Sequence, residues 1–136
     1  MAMTPSRAAN AAILGLTLLA LAGQARAQEA SGDPAAGQRV FNQCRACHVI
    51  ENNGRNGVGP NLHGVVGRRA ASIQNFRYSA NMRSLGEQGH VWTDDNLRAY
   101  LRNPKDVAPQ GIMSFPGLRN EQQINDVIAY LRSQSG

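Results

Sequence analysis

The chain is 136 residues long, 42% hydrophobic and 17% charged, with a formal net charge of +5 and two cysteines. Disordered chains are poorer in apolar residues, so this is the composition of one globular domain, and two cysteines are too few for a disulfide scaffold. No apolar run reaches the ~18 residues that a membrane span needs, so stable insertion is not expected.

Residues 1–27 read as a secretory signal peptide. Met1 to Asn10 carry Arg7 and no acid, Ala11 to Gly23 is nearly all small or aliphatic, and Ala25-Arg26-Ala27 has the small-x-small form of a cleavage site. Cleavage after Ala27 leaves one domain, residues 28–136, exported to the periplasm. Loss of Arg7 and Arg26 lowers the net charge from +5 to +3. The remaining arginines are scattered and Lys105 is the only lysine. Nucleic acid, which needs a concentrated basic stripe, is therefore excluded as a partner.

Three main helices follow in chain order. Asp33-Pro34 starts the first, with Asp33 as N-cap and Pro34 at the position where a missing N–H costs nothing. Ala36, Val40, Phe41, Cys44 and His48 recur about every four residues, which places them on one face of a helix running into the cysteine pair. Ser79 opens a weaker helix. Thr93 with Asp94 and Asp95 starts the second main helix, with Leu97, Tyr100 and Leu101 as its apolar stripe, and Asn103-Pro104 stops it. Asn120 with Gln123 opens the third, whose core face is Ile124, Val127, Ile128 and Leu131.

Between His48 and Thr93 lie more than forty residues rich in glycine, without a convincing strand. A structureless connection of that length is uncommon in a compact domain. Three short helices offer too few apolar side chains to close a core around it, so a bulky apolar cofactor is implied.

Both cysteines fall in Cys44-Arg45-Ala46-Cys47-His48. The C-x-x-C-H spacing reads as c-type haem attachment: two thiols on one turn can form thioethers with the macrocycle's two vinyl groups, and the adjacent imidazole reaches the iron. A redox disulfide would be expected in a βαβ setting, and zinc would need a set improvised with His63 and His90. With His48 as one axial ligand, the candidates for the other are His63, His90, Met82 and Met113. A lone loop histidine is usually a solvated one, and Met82 fits as a gap-filling core residue. Met113 is preferred, because its Pro- and Gly-bounded loop can drape over the far haem face.

These motifs, with Gly37 and Phe41, Gly59-Pro60-Asn61-Leu62-His63-Gly64, Gly67-Arg68, Trp92, Tyr100-Leu101, Asn103-Pro104-Lys105, Met113-Ser114-Phe115 and Ile128-Ala129-Tyr130-Leu131, together resemble the class I cytochromes c, specifically bacterial relatives of the mitochondrial protein. The resemblance implies an all-α single-domain fold in which the first and last helices cross at Gly37, with Phe41 and Tyr130 packed around the crossing. It implies one covalent haem c, Pro60 accepting from the His48 ring, Arg68, Tyr78 and Trp92 holding the haem propionates, and Tyr100 donating to the Met113 sulfur. Where the family usually reads Pro-Gly-Thr-Lys-Met, this chain has Pro109-Gln110-Gly111-Ile112-Met113. That departure bears on the stiffness of the methionine loop and removes a lysine from the docking rim.

The implied function is a soluble, monomeric carrier of single electrons, meeting an oxidase, a bc-type complex, a reaction centre or a dehydrogenase in transient contacts. With His48 and Met113 on the iron, no open position is left for substrate, so the protein is not expected to be an enzyme. Two other readings remain at this point. In one, the Met113 loop opens to give a peroxidase or gas-binding protein; in the other, the chain is a dedicated haem subunit of a dehydrogenase.

Overall fold

A computed structural model describes residues 32–136. The signal peptide and the domain boundary at residue 28 lie outside the described residues. The described chain folds into five helices: α1 (Pro34–Phe41), α2 (Ala80–Glu87), α3 (Asp94–Arg102), α4 (Pro104–Val107) and α5 (Glu121–Ser133). Extended pairing among the described residues is limited to an isolated antiparallel bridge between Arg69 and Val91.

Side-chain caps set the helix starts. Asp33 accepts from Ala35 N–H, Ser79 from Met82 N–H, Thr93 from Asn96 N–H and Asn120 from Gln123 N–H, each satisfying a donor that the first turn leaves free. All four starts agree with the sequence expectation. Asn103 both stops α3 and opens α4, its side chain accepting from Lys105 N–H. The sequence reading took Asn103-Pro104 only as a stop, although a proline at the first helical position also permits a start.

The first helix is shorter than its apolar spacing suggested. After Phe41 the amides of Asn42, Gln43 and Cys44 bond three residues back, to Arg39, Val40 and Phe41, and the chain tightens into turns. Cys44 and His48 are thus carried by a wound turn beyond the α-helix.

The core forms where α1 meets α5. A Cβ on Gly37 would lie 1.9 Å from the Asp126 carbonyl oxygen and 2.8 Å from Tyr130 Cβ, so only glycine permits this approach. Beside it the Phe41 and Tyr130 rings meet at 5.3 Å between centroids. The expected face of α5, Ile124, Val127, Ile128 and Leu131, is buried together with Phe41, Ile50, Val65 and Leu97. At roughly 1.5–3 kcal/mol for each fully buried aliphatic or aromatic side chain, this cluster is the main source of cohesion. Asp126 Oδ1 also accepts from Asp33 N–H at 2.8 Å, joining the start of α1 to α5.

Candidate functional site

The turn after α1 brings the thiols and the imidazole together. Cys47 N–H and His48 N–H both donate to the Cys44 carbonyl, at 3.1 and 2.9 Å. Cys44 is half-buried, Cys47 is exposed, and both are free thiols. Burial, with the neighbouring Cys47 adding to it, raises the Cys44 pKa.

The His48 ring is fixed by the loop that follows. Its Nδ1 lies 2.7 Å from the Pro60 carbonyl, which as an acceptor selects the Nδ1–H tautomer and leaves the Nε2 lone pair available. A Cβ on Gly59 would come within 2.4 Å of the same ring, so glycine is required there for the loop to lie flat on the imidazole. Burial lowers the His48 pKa, opposed by the Pro60 hydrogen bond and reinforced by the charge of Arg68. The neutral ring is the form that can ligate a metal.

Asn61 holds this loop. It is 6% exposed; its amide donates to the Glu51 and Arg55 carbonyls at 3.0 and 2.8 Å, and its Oδ1 accepts from His63 N–H at 2.7 Å. Asn61 stood in the sequence motif, but its bracing role was not read from it. Arg68 spans the same segment, donating to the His63 and Asn61 carbonyls at 3.1 and 3.0 Å. Burial lowers the Arg68 pKa, with Tyr78 opposing. The Tyr78 oxygen accepts from Ile73 N–H at 3.3 Å, and burial raises its pKa. Trp92 is buried and packs on Tyr100 at 4.9 Å between centroids.

Beyond Trp92, Tyr100 Oη donates to Met113 Sδ at 4.0 Å, the contact that the resemblance implied. Burial raises the Tyr100 pKa, so the phenol keeps its proton. The unusual Gln110-Gly111-Ile112 segment is pinned: Gln110 N–H donates to Asn81 Oδ1 at 2.9 Å, Gly111 N–H to the Ala108 carbonyl at 2.9 Å, and Lys105 Nζ to the Gly111 carbonyl. Neither Asn81 nor Lys105 was singled out for this from sequence. Ile112 stands 73% exposed. Met82 is packed against the hydrophobic core, in keeping with its reading as a filler.

His63 is half-buried in the Asn61 loop. His90, taken from sequence as a solvated loop residue, instead lies edge-on to Trp92 at 4.8 Å, with its Nε2 buried and without a partner. Among the described residues no group of three or more His, Cys, Asp or Glu could hold a metal ion, which removes the improvised zinc set. No helix among them is long and apolar enough to cross a membrane.

This arrangement matches known proteins. Residues 34–135 match the family Cytochrome c. The chain belongs to the cytochrome c family. It is 46% identical over 99 residues to cytochrome c2 of Afifella marina, an alignment covering 73% of this chain and 80% of that one. It is 42% identical over 100 residues to cytochrome c-550 of Ancylobacter novellus, covering 74% and 94%. The solved structure of cytochrome c2 from Rhodospirillum centenum superposes with a TM-score of 0.70 at 39% identity, over 77% of this chain and all of that one.

The all-α class I fold read from the sequence is thereby established. As a cytochrome c the protein carries one haem c, bound covalently through Cys44 and Cys47. Its residues fit that group. Two unbridged thiols precede an imidazole with an available Nε2, a thioether faces inward from a pinned loop, and Leu62, Tyr100 and Phe115 present apolar surface only partly covered by the core.

Proposed function

We propose that the protein shuttles single electrons, with His48 and Met113 as the two axial ligands of its haem. The observation that carries the reading is the His48 Nδ1 contact with Pro60 at 2.7 Å, which fixes the ring and leaves Nε2 free to ligate the iron. Bound haem supplies the one-electron Fe(III)/Fe(II) couple. Pro60 holds the His48 ring and raises its basicity, Tyr100 holds the Met113 sulfur by its hydroxyl, and the soft thioether favours the ferrous state. Arg68, Tyr78 and Trp92 form the wall against the propionates.

The tethers from Asn81 and Lys105 support a closed methionine loop. Held by both His48 and Met113, the iron would have no position left for substrate, as a carrier requires and a peroxidase or gas-binding protein does not. The segment before residue 28 supports export to the periplasm, and the partners are membrane or periplasmic redox proteins met transiently. Ile112, 73% exposed, stands where the family usually carries a rim lysine, so charge steering falls to the arginines.

Visible spectra of the native protein and of Met113→Ala test the ligand assignment. Native ferric protein shows the long-wavelength absorption of methionine-ligated iron, and the ferrous form does not bind carbon monoxide. Met113→Ala loses that absorption, binds carbon monoxide, keeps its haem through acid extraction and has a markedly lower potential. Met82→Ala changes none of these. Loss of the absorption in Met82→Ala in place of Met113→Ala overturns the assignment.

A further inference from the structure

Among the described residues, the one buried side-chain nitrogen or oxygen without a hydrogen-bond partner is His90 Nε2. Leaving such a group unsatisfied costs about 1–3 kcal/mol, so a native partner is called for. The backbone places the His90 side chain on the same side of the bridge as that of Arg68. Arg69 and Val91 pair as an antiparallel bridge, Trp92 N–H donates to the Arg68 carbonyl at 2.9 Å, and Ala70 N–H donates to the His90 carbonyl at 2.8 Å. Side chains alternate across extended backbone, so those of Arg68, Ala70, His90 and Trp92 share one side. The ring contact agrees: His90 and Trp92 lie 4.8 Å apart at 81°.

Arg68 on that side has an unmet requirement of its own. Its hydrogen-bond acceptors, the carbonyls of His63 and Asn61, are neutral, and none of the ion pairs among the described residues includes it. A partly buried guanidinium is stabilised by an anion. A cation without a counter-ion and a buried imidazole nitrogen without a partner thus stand on one wall of a protein whose cofactor brings two carboxylates.

We infer that His90 Nε2–H donates a hydrogen bond to a haem propionate, making His90 a cofactor-holding residue beside Arg68 and Trp92. The inference rests on the haem reading above. Drawing negative charge away from the iron favours the ferrous state, so His90 raises the potential.

The test uses the haem-loaded protein, wild type, His90→Phe and His90→Gln. Phenylalanine keeps the aromatic contact with Trp92 and lacks the donor, whereas glutamine restores one. At fixed ambient potential the ferrous-to-ferric ratio falls roughly three- to tenfold in His90→Phe, a part of a charge-assisted hydrogen bond's worth because the bond is present in both iron states, and recovers in part in His90→Gln. In nitrogen-labelled wild-type protein the His90 Nε2–H exchanges slowly and shows cross-peaks to the propionate methylene protons. Ratios equal within about twofold across the three proteins overturn the proposal. So does an Nε2–H without those cross-peaks, the result expected if an ordered water is the partner, and this readout decides the matter should the variants fail to assemble. Failure of the ligand assignment shows itself separately, as absence of the long-wavelength absorption in wild-type protein.

Discussion

At the crossing of α1 and α5 the contact is filled by the protein's own atoms: glycine against a backbone carbonyl, Phe41 against Tyr130, and aliphatic side chains beneath. Along the stretch from Asn56 to Trp92 the chain is braced largely by polar groups, with Asn61 and Arg68 reaching backbone carbonyls and Pro60 holding an imidazole. The first region is complete as a protein core. The second keeps polar groups without a counterpart in the protein, Nε2 of His90 and the charge of Arg68, which the proposals above pair with the cofactor. The crossing thus contributes apolar packing, whereas the braced stretch contributes the hydrogen bonds that hold the loop around the His48 ring.

The strongest perturbation of the crossing is Gly37→Ala. With its Cβ placed 1.9 Å from the Asp126 oxygen, the two helices must separate, and the fold loses about 3 kcal/mol or more. Thermal unfolding measures this, while the spectrum at low temperature keeps its methionine-ligated form. A cost under about 1 kcal/mol would show that the crossing is more pliant than its geometry implies.

A smaller effect is expected in the braced region. Asn61→Ala leaves the Glu51 and Arg55 carbonyls and the His63 N–H without their partner and costs about 2 kcal/mol, read as a lower denaturant midpoint at unchanged slope. A change in slope would mean instead that the loop had come away as a unit.

The smallest lies on the surface between α3 and α5, where Arg102 donates to both Glu121 oxygens at 2.8 and 2.7 Å. These hydrogen bonds, foremost among the causes, hold the Glu121 carboxyl below its ordinary range. A depressed carboxylate adds stability above its unfolded pKa, and that contribution fades as pH falls through the folded value. Glu121→Gln is therefore slightly less stable than wild type at neutral pH, and the difference vanishes in acid and in high salt. A difference that persists at high salt would point to packing in place of charge.

The two regions also differed in how far their residues could be read in advance. Caps at Asp33, Thr93 and Asn120 and the Ile124–Leu131 stripe act within a few residues of one another, so local chemistry was enough to place those helices. The periodic spacing of Cys44 and His48 misled, because after Phe41 three hydrogen bonds reach back only three residues and tighten the chain without disturbing the face on which residues recur. The chemical site was legible because C-x-x-C-H is a local constraint, and the Pro60 and Tyr100 contacts followed from the resemblance. Asn81 reaches Gln110 across 29 residues, and no local pattern records such a tether. His90 was misjudged because a histidine on a loop carries no sign of burial until the bridge places it against Trp92.

The bond from Asp33 N–H to Asp126, 93 residues apart, has a consequence for the order of events during synthesis. The first helix finds its partner only in the last one, so a chain that has not yet emerged through α5 has nothing to hold α1 in place. Closing a loop of that length is slow and leaves the chain open until its end is made. Until it closes, Cys44 and Cys47 follow a helix that has no packing partner, and the glycine crossing that orders the chain ahead of them is the last contact to form.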